Sequence, residues 1–240
     1  MMKKIIEKFF ILTVFLFVIG VFWAASALIH ETTSSTARLS KMLTNQDGVI
    51  SRALFSPQDT IKEVIINLIE HEQKRISLAI YSFTDPDIAK ALIEAHNRGV
   101  RVEVVVDRGY ASDKFSRVNQ LANAKIFVTV YQPPHNENSN LHCIMHNKFF
   151  IFEKNLKNKQ ILFTGSFNCT RSANASNKEN VLVIEDVNII RAYYREFNQL
   201  KKSCLPISGH AESSFGQVET KSDNDNGGFL SKIFSFDFGF

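Results

Sequence analysis

"ISLAIYSFTDPDIAKALIEAHNRGVRVEVVV", residues 76–106, carries three signals in a row. Residues 76–83 are an apolar run with aromatic members, which predicts a strand. Asp85-Pro86 then offers an N-cap and a first-turn proline, opening a helix that runs through Asn97. Arg98-Gly99 closes that helix, since glycine accepts the left-handed backbone that ends many helices. Val100 to Val106 is strongly β-branched, a second strand. Strand, helix and strand at such short intervals predict a parallel βαβ unit and an α/β fold.

The same alternation extends both ways. Upstream, Ile61, Val64, Ile65, Leu68 and Ile69 repeat at helical spacing, predicting an amphipathic helix over 57–74. Downstream come a helix near 113–123, a strand over 126–131 and a polar loop, 132–141. A strand over 181–184 and a helix over 187–202 end the series. The core domain is therefore expected at 57–205, with 30–56 as a connector that includes a possible short helix.

Between the loop and the last strand lies "MHNKFFIFEKNLKNKQILFTGSFNCT", residues 145–170. His146, Lys148, Phe150 and Phe152 share a parity, so an extended strand points them to one face. The apolar run Ile161–Thr164 follows a lysine-rich turn, which makes the segment a hairpin. Antiparallel pairing brings His146 and Lys148 beside Ser166 and Asn168 at the open end, far from the turn. An imidazole can act as nucleophile or proton carrier near neutral pH, and an ammonium with hydroxyl and amide groups suits an anionic oxygen cluster. The set reads as a phosphate site. No aspartate-rich metal set accompanies it, so a protein-based phosphoryl transfer with no metal and no cofactor is expected. Zinc held by His135, His142, Cys143 and His146 is a weaker reading, because a His pair four apart needs a helix where the segment reads as loop and strand.

These residues resemble the phospholipase D superfamily, whose motif is His-x-Lys, four residues and Asp, then Gly-Ser-x-Asn. The resemblance spans about Ile76 to Leu200 and includes "NKENVLVI" around Glu179-Asn180. It is closest to the small members with one motif per chain, the bacterial endonuclease type and its mitochondrial-surface relatives. It implies a mixed sheet flanked by helices and a phosphodiesterase working through a phosphohistidine on His146. Lys148 and Asn168 would bind non-bridging oxygens with Ser166 assisting, and Glu179 would accept the second ring proton of the histidine. One motif per chain implies a homodimer in which the two His146 rings share one site. A low-specificity endonuclease acting on DNA or RNA is the expected activity; hydrolysis of a phospholipid such as cardiolipin is the alternative, and an inert phosphate-binding module a further one. This chain departs from the motif at Glu153, which replaces the aspartate. Its odd offset from His146 puts it on the opposite strand face, in a structural role.

The flanks read differently. Residues 9–29 are uncharged and apolar behind Lys3, Lys4 and Lys8, long enough at about 1.5 Å per residue to cross a bilayer. Residues 1–29 are thus a membrane anchor or a cleaved signal, with Ala25-Ser26-Ala27 as a cleavage pattern. The basic flank predicts an exported, periplasmic or membrane-anchored domain. The net charge of +4 says little about nucleic acid. Arg98, Arg101, Arg108, Lys114, Arg117, Lys125, Arg171 and Lys178 fall on or near expected loops. Three cysteines, Cys143, Cys169 and Cys204, exclude a disulfide scaffold; Cys143 and Cys169 could pair or stay free. Residues 206–240 form a polar linker and a tail with Phe234, Phe236, Phe238 and Phe240 in alternation.

Overall fold

The computed structural model describes residues 14–23, 25–26, 36–133 and 143–207. Eight strands form one mixed sheet: β1 (Ser51–Phe55), β2 (Arg75–Ile80), β3 (Arg101–Val106), β4 (Phe127–Tyr131), β5 (Lys148–Phe152), β6 (Ile161–Gly165), β7 (Asn180–Ile184) and β8 (Cys204–Pro206). Their order across the sheet is β1-β7-β6-β5-β2-β3-β4-β8. β2, β3 and β4 run parallel, and β5 reverses direction beside β2. Besides helical stretches at 14–23 and 36–43, the latter the short helix expected in the connector, the described helices are α1 (Ile61–His71), α2 (Pro86–Asn97), α3 (Arg108–Ala111), α4 (Val118–Asn123), α5 (Arg171–Ala175) and α6 (Val187–Lys202).

The expected βαβ unit is β2-α2-β3. Asp85 caps α2 by accepting from the N–H groups of Asp87 and Ile88, and Gly99 leaves the helix at φ +93°. Strand parity divides the core. Phe150, Phe152 and Phe163 pack in one layer with Ile61, Leu68, Ile88 and Leu92 of α1 and α2. Phe149, Ile151 and Leu162 pack in the other, with Ile190 and Phe197 of α6. Burying each such phenyl group contributes about 2 kcal/mol, so a one-residue slip of β5 is strongly disfavoured.

Three expectations need correction. The helix foreseen over 113–123 starts only at Val118, because the Asp113 side chain accepts from the N–H of Phe115 and holds the chain in a turn, and a separate short helix, α3, precedes it at Arg108–Ala111. Residues 51–55, expected in a connector, form edge strand β1 on β7; Leu39, Leu43, Ile50 and Leu54 of that segment lie in the core. β8 was not foreseen, and pairs with β4. Among the described residues no helix is long and apolar enough to cross a membrane. Residues 14–23 are helical. The rest of the 9–29 stretch, apart from 25–26, and the aromatic tail lie outside the described residues.

Candidate active site

The carboxyl ends of β2 and β3 lie at one edge of the sheet, and antiparallel β5 starts there with Lys148 opposite Ile80. β6 ends at the same edge with Gly165 opposite Val181 of β7. The hairpin therefore brings His146, Lys148, Ser166, Asn168 and Glu179 to one edge, the place where α/β sheets bind ligands.

His146 is exposed and Lys148 is 7% exposed. The Lys148 ammonium donates to the His146 carbonyl at 2.7 Å and stands 4.9 Å from the centre of the Tyr81 ring. Burial holds its pKa below the usual lysine value, against the opposing pull of the Glu179 charge. An ammonium has three donors, so bonding to one carbonyl leaves capacity for a phosphate oxygen.

The Asn168 side chain has a defined orientation. Its Oδ1 accepts from the N–H of Ser82 at 3.2 Å, so its NH₂ is left to donate toward an anion. Ser166 is more fully engaged. Its hydroxyl donates to Glu179 Oε2 at 2.5 Å and accepts from the Asn180 N–H at 3.0 Å. Glu179 Oε1 accepts from the Asn177 side chain at 2.9 Å. With its proton committed to Glu179, Ser166 here positions the carboxylate rather than presenting a free donor. Gly165 makes this possible, since a Cβ there would lie 2.0 Å from the Asn180 carbonyl oxygen.

The expected contact between Glu179 and His146 is not formed. The His146 ring instead meets Tyr81 edge-on, with centroids 4.5 Å apart, and Tyr81 packs on Tyr110 at 4.5 Å. Burial, a hydrogen bond to Tyr110 and the Asp107 charge raise the Tyr81 pKa, which keeps it a neutral phenol. Asp107 holds the approach to His146, accepting from Met145 N–H at 2.9 Å and Gly109 N–H at 2.8 Å. Sequence reading missed Tyr81, Ser82 and Asp107. The signal for all three was position, immediately after the ends of β2 and β3.

Glu153 lies one residue beyond β5, at the opposite edge from His146, paired with Lys74 at 2.5 Å and Arg75 at 3.5 Å. Arg101 pairs with Glu103 at that same end, and Arg98 donates to the Ile69 and Glu70 carbonyls. Of the basic residues noted earlier, Arg108, Lys114 and Arg117 belong to the segment that leaves β3 and returns to Phe83 through the Arg117 N–H. The Arg117 side chain also donates to the Thr84 carbonyl at 3.2 Å. Cys143 is exposed and Cys169 buried, and both are free thiols. His135 and His142 of the zinc reading lie outside the described residues.

Comparison with known proteins gives this edge its context. The family model "Cardiolipin synthase, PLD-like domain" matches residues 65–201, more than half of the chain. The chain belongs to the phospholipase D-like family. It is similar to a phospholipase D of Rickettsia conorii, 35% identical over 149 residues, covering 62% of this chain and 68% of that one. It is also similar to a mitochondrial cardiolipin hydrolase of Xenopus tropicalis, 31% identical over 144 residues, covering 60% and 62%. Among solved structures, NucT from Helicobacter pylori superposes with a TM-score of 0.59 at 26% identity, over 65% of this chain and 98% of that one. The phospholipase D-like mixed sheet and a hydrolytic phosphodiesterase chemistry follow from that membership.

Proposed function

We propose that this phosphodiesterase is a metal-independent endonuclease of low sequence specificity that works through a phosphohistidine. The observation that carries it is an exposed imidazole, His146, beside a buried ammonium, Lys148, and an amide, Asn168, oriented by Ser82. One His146 nitrogen attacks phosphorus, forming P–N as the P–O bond to the leaving group breaks. Lys148 and Asn168 hold the non-bridging oxygens. The leaving oxygen takes a proton from a second imidazolium. Water then attacks the phosphohistidine, gives its proton to that second imidazole, and P–N breaks to return His146 free.

The second imidazole is the His146 of another copy, so the active form is a homodimer with an isologous shared site. Contacts to a phosphate backbone carry no base information, hence the low specificity. The apolar stretch 9–29 behind Lys3, Lys4 and Lys8 supports a site of action outside the cytoplasm, in the periplasm or held at the membrane. Phospholipid hydrolysis is the second reading, favoured by the similarity to the cardiolipin hydrolase.

The deciding assay sets the full chain in mild detergent against DNA, RNA, phosphatidylcholine and cardiolipin, all in EDTA. Cleavage of nucleic acid with a ³²P-labelled protein intermediate supports the proposal. Strict dependence on a divalent metal overturns the mechanism, and lipid turnover alone overturns the substrate.

A further inference from the structure

The hairpin end opposite His146 carries a second polar cluster that the reaction does not use. Its turn holds Lys154, Lys157 and Lys159, all exposed. At about 3.4 Å per residue, the run from Lys148 to Lys154 puts this turn roughly 20 Å from the catalytic edge.

Lys157 and Asn158 both have left-handed backbone, φ 53° and φ 56°. That conformation costs about 1–2 kcal/mol per non-glycine residue, so the surroundings must hold it. Leu156, 2% exposed, is anchored in the same apolar cluster as Leu39 and Leu43. The Asn155 side chain donates to the Leu68 carbonyl and to Glu72. The turn so fixed aims the Lys157 ammonium at Gly48 O (3.2 Å) and Thr44 Oγ1 (3.5 Å). It closes an open cleft of about 410 Å³ lined by Ala37, Ser40, Lys41, Thr44, Asn45 and Lys157.

Among the described residues neither Lys41 nor Lys157 has a carboxylate partner, nor do neighbouring Arg38 and Lys154; Lys159 reaches Glu185 only at 3.9 Å. The Thr44 hydroxyl is committed to the Ser40 carbonyl at 2.6 Å, which leaves two ammonium groups, the Ser40 hydroxyl and the Asn45 amide around one cleft as a donor set for a phosphate anion. The neighbourhood says which phosphate. The cleft wall, 36–43, follows the apolar stretch 9–29, and in its described part Phe15, Phe17, Phe22 and Trp23 are 60–73% exposed. Such uncovered apolar side chains suit a bilayer. The few residues between 29 and 36 can span no more than about 25 Å.

We propose that this cleft docks the phosphate of an anionic phospholipid headgroup, seating the domain on the membrane that holds residues 9–29 with the His146 edge turned away. The inference rests on the membrane reading of 9–29. It also sharpens the proposed substrate: lipids of that membrane lie about one strand length from His146, so the site meets soluble polyanions first.

The test uses the full chain reconstituted in phosphatidylcholine vesicles, with and without phosphatidylglycerol, labelled with an amine-reactive reagent and read by mass spectrometry. Labelling of Lys41 and Lys157 should fall several-fold in the anionic vesicles and recover at high salt, while exposed Lys90 on α2 is unchanged. Equal labelling in both vesicles overturns the proposal. So does protection by an oligonucleotide in neutral vesicles without protection by anionic lipid, which would assign the cleft to nucleic acid. Release of the chain by alkaline carbonate overturns it through the anchor instead, and that arm reads insertion without activity, so the two failures are distinguishable.

Discussion

Alanine at position 165 would place a methyl group 2.0 Å from the Asn180 carbonyl oxygen and 2.9 Å from both its carbonyl carbon and Val181 Cα. Non-bonded atoms rest about 3.5 Å apart, so β7 must retreat from β6 by roughly an ångström or more. Two bonds span that point, Ser166 N–H to Asn180 O and Asn180 N–H to Ser166 Oγ, each 3.0 Å. Losing them costs about 1 kcal/mol each, and the overpacking adds about 1–3 kcal/mol. The stiffer unfolded chain offsets less than about 1 kcal/mol of this. Gly165→Ala should therefore lose roughly 2–4 kcal/mol, a fall in Tm on the order of 10 °C for a domain of this size. The same shift moves Ser166 and Glu179, and a displacement of about 1 Å in a catalytic set costs on the order of 100-fold in rate. Calorimetric melting and steady-state turnover read the two effects separately. A variant that melts and turns over like the parent would refute the close approach of β6 and β7. Lost stability with full activity would refute the role of the Ser166–Glu179 link.

Other perturbations separate chemistry from folding. His146→Ala should abolish turnover with an unchanged melting curve, because the side chain is exposed; near-parental turnover would remove the nucleophile assignment. Lys148→Met should be inactive yet at least as stable at neutral pH. Burial depresses the folded-state pKa of Lys148, so its charge works against folding at neutral pH, and that cost vanishes as pH rises above the unfolded value. The stability difference from the parent should accordingly shrink in alkali, and a Met variant much less stable at neutral pH contradicts this. Burial alone would raise the Glu103 pKa, but Lys201 and Arg101 bring it below the usual value. Its stabilisation is present above the unfolded pKa and lost as pH falls through the folded one. Glu103→Gln should flatten the acid limb of Tm against pH, and an unchanged limb refutes it.

The βαβ unit was legible because each boundary had its own chemistry, the Asp85-Pro86 cap and the Gly99 exit. The hairpin and its polar open end followed from parity alone, since Phe149 and Phe150 take opposite faces in any extended chain. β1 was not legible: "SRALF" has only Leu54 buried, so an edge strand left no alternation to read. Nor could sequence reveal the wiring of the site. Ser166 and Glu179 are separated by α5, and only the β6–β7 register makes them partners. Tyr81 looked like one more strand aromatic, and its contact with His146 depends on the loop that Asp107 holds.

That wiring bears on why one chain would not suffice for the proposed reaction. The two steps move protons in opposite directions, first to a leaving oxygen and then from a water, so the acid–base group must cycle through both states near neutral pH. Imidazole suits that task. Within the described residues of one chain, the groups around His146 are the buried ammonium of Lys148 and the Tyr81 phenol, whose pKa is raised further. The phenol is moved away from a neutral-pH cycle, the ammonium is bonded to the His146 carbonyl, Asp107 accepts from Met145 and Gly109, and Glu179 is already bonded by Ser166 and Asn177. His146 is exposed at the rim of the sheet, which leaves it open to the counterpart that the proposed reaction requires. Sedimentation of the full chain in detergent at assay concentration should find a dimer whose dissociation abolishes turnover. A fully active monomer would leave the leaving-group proton to another donor and remove the reason for the pairing.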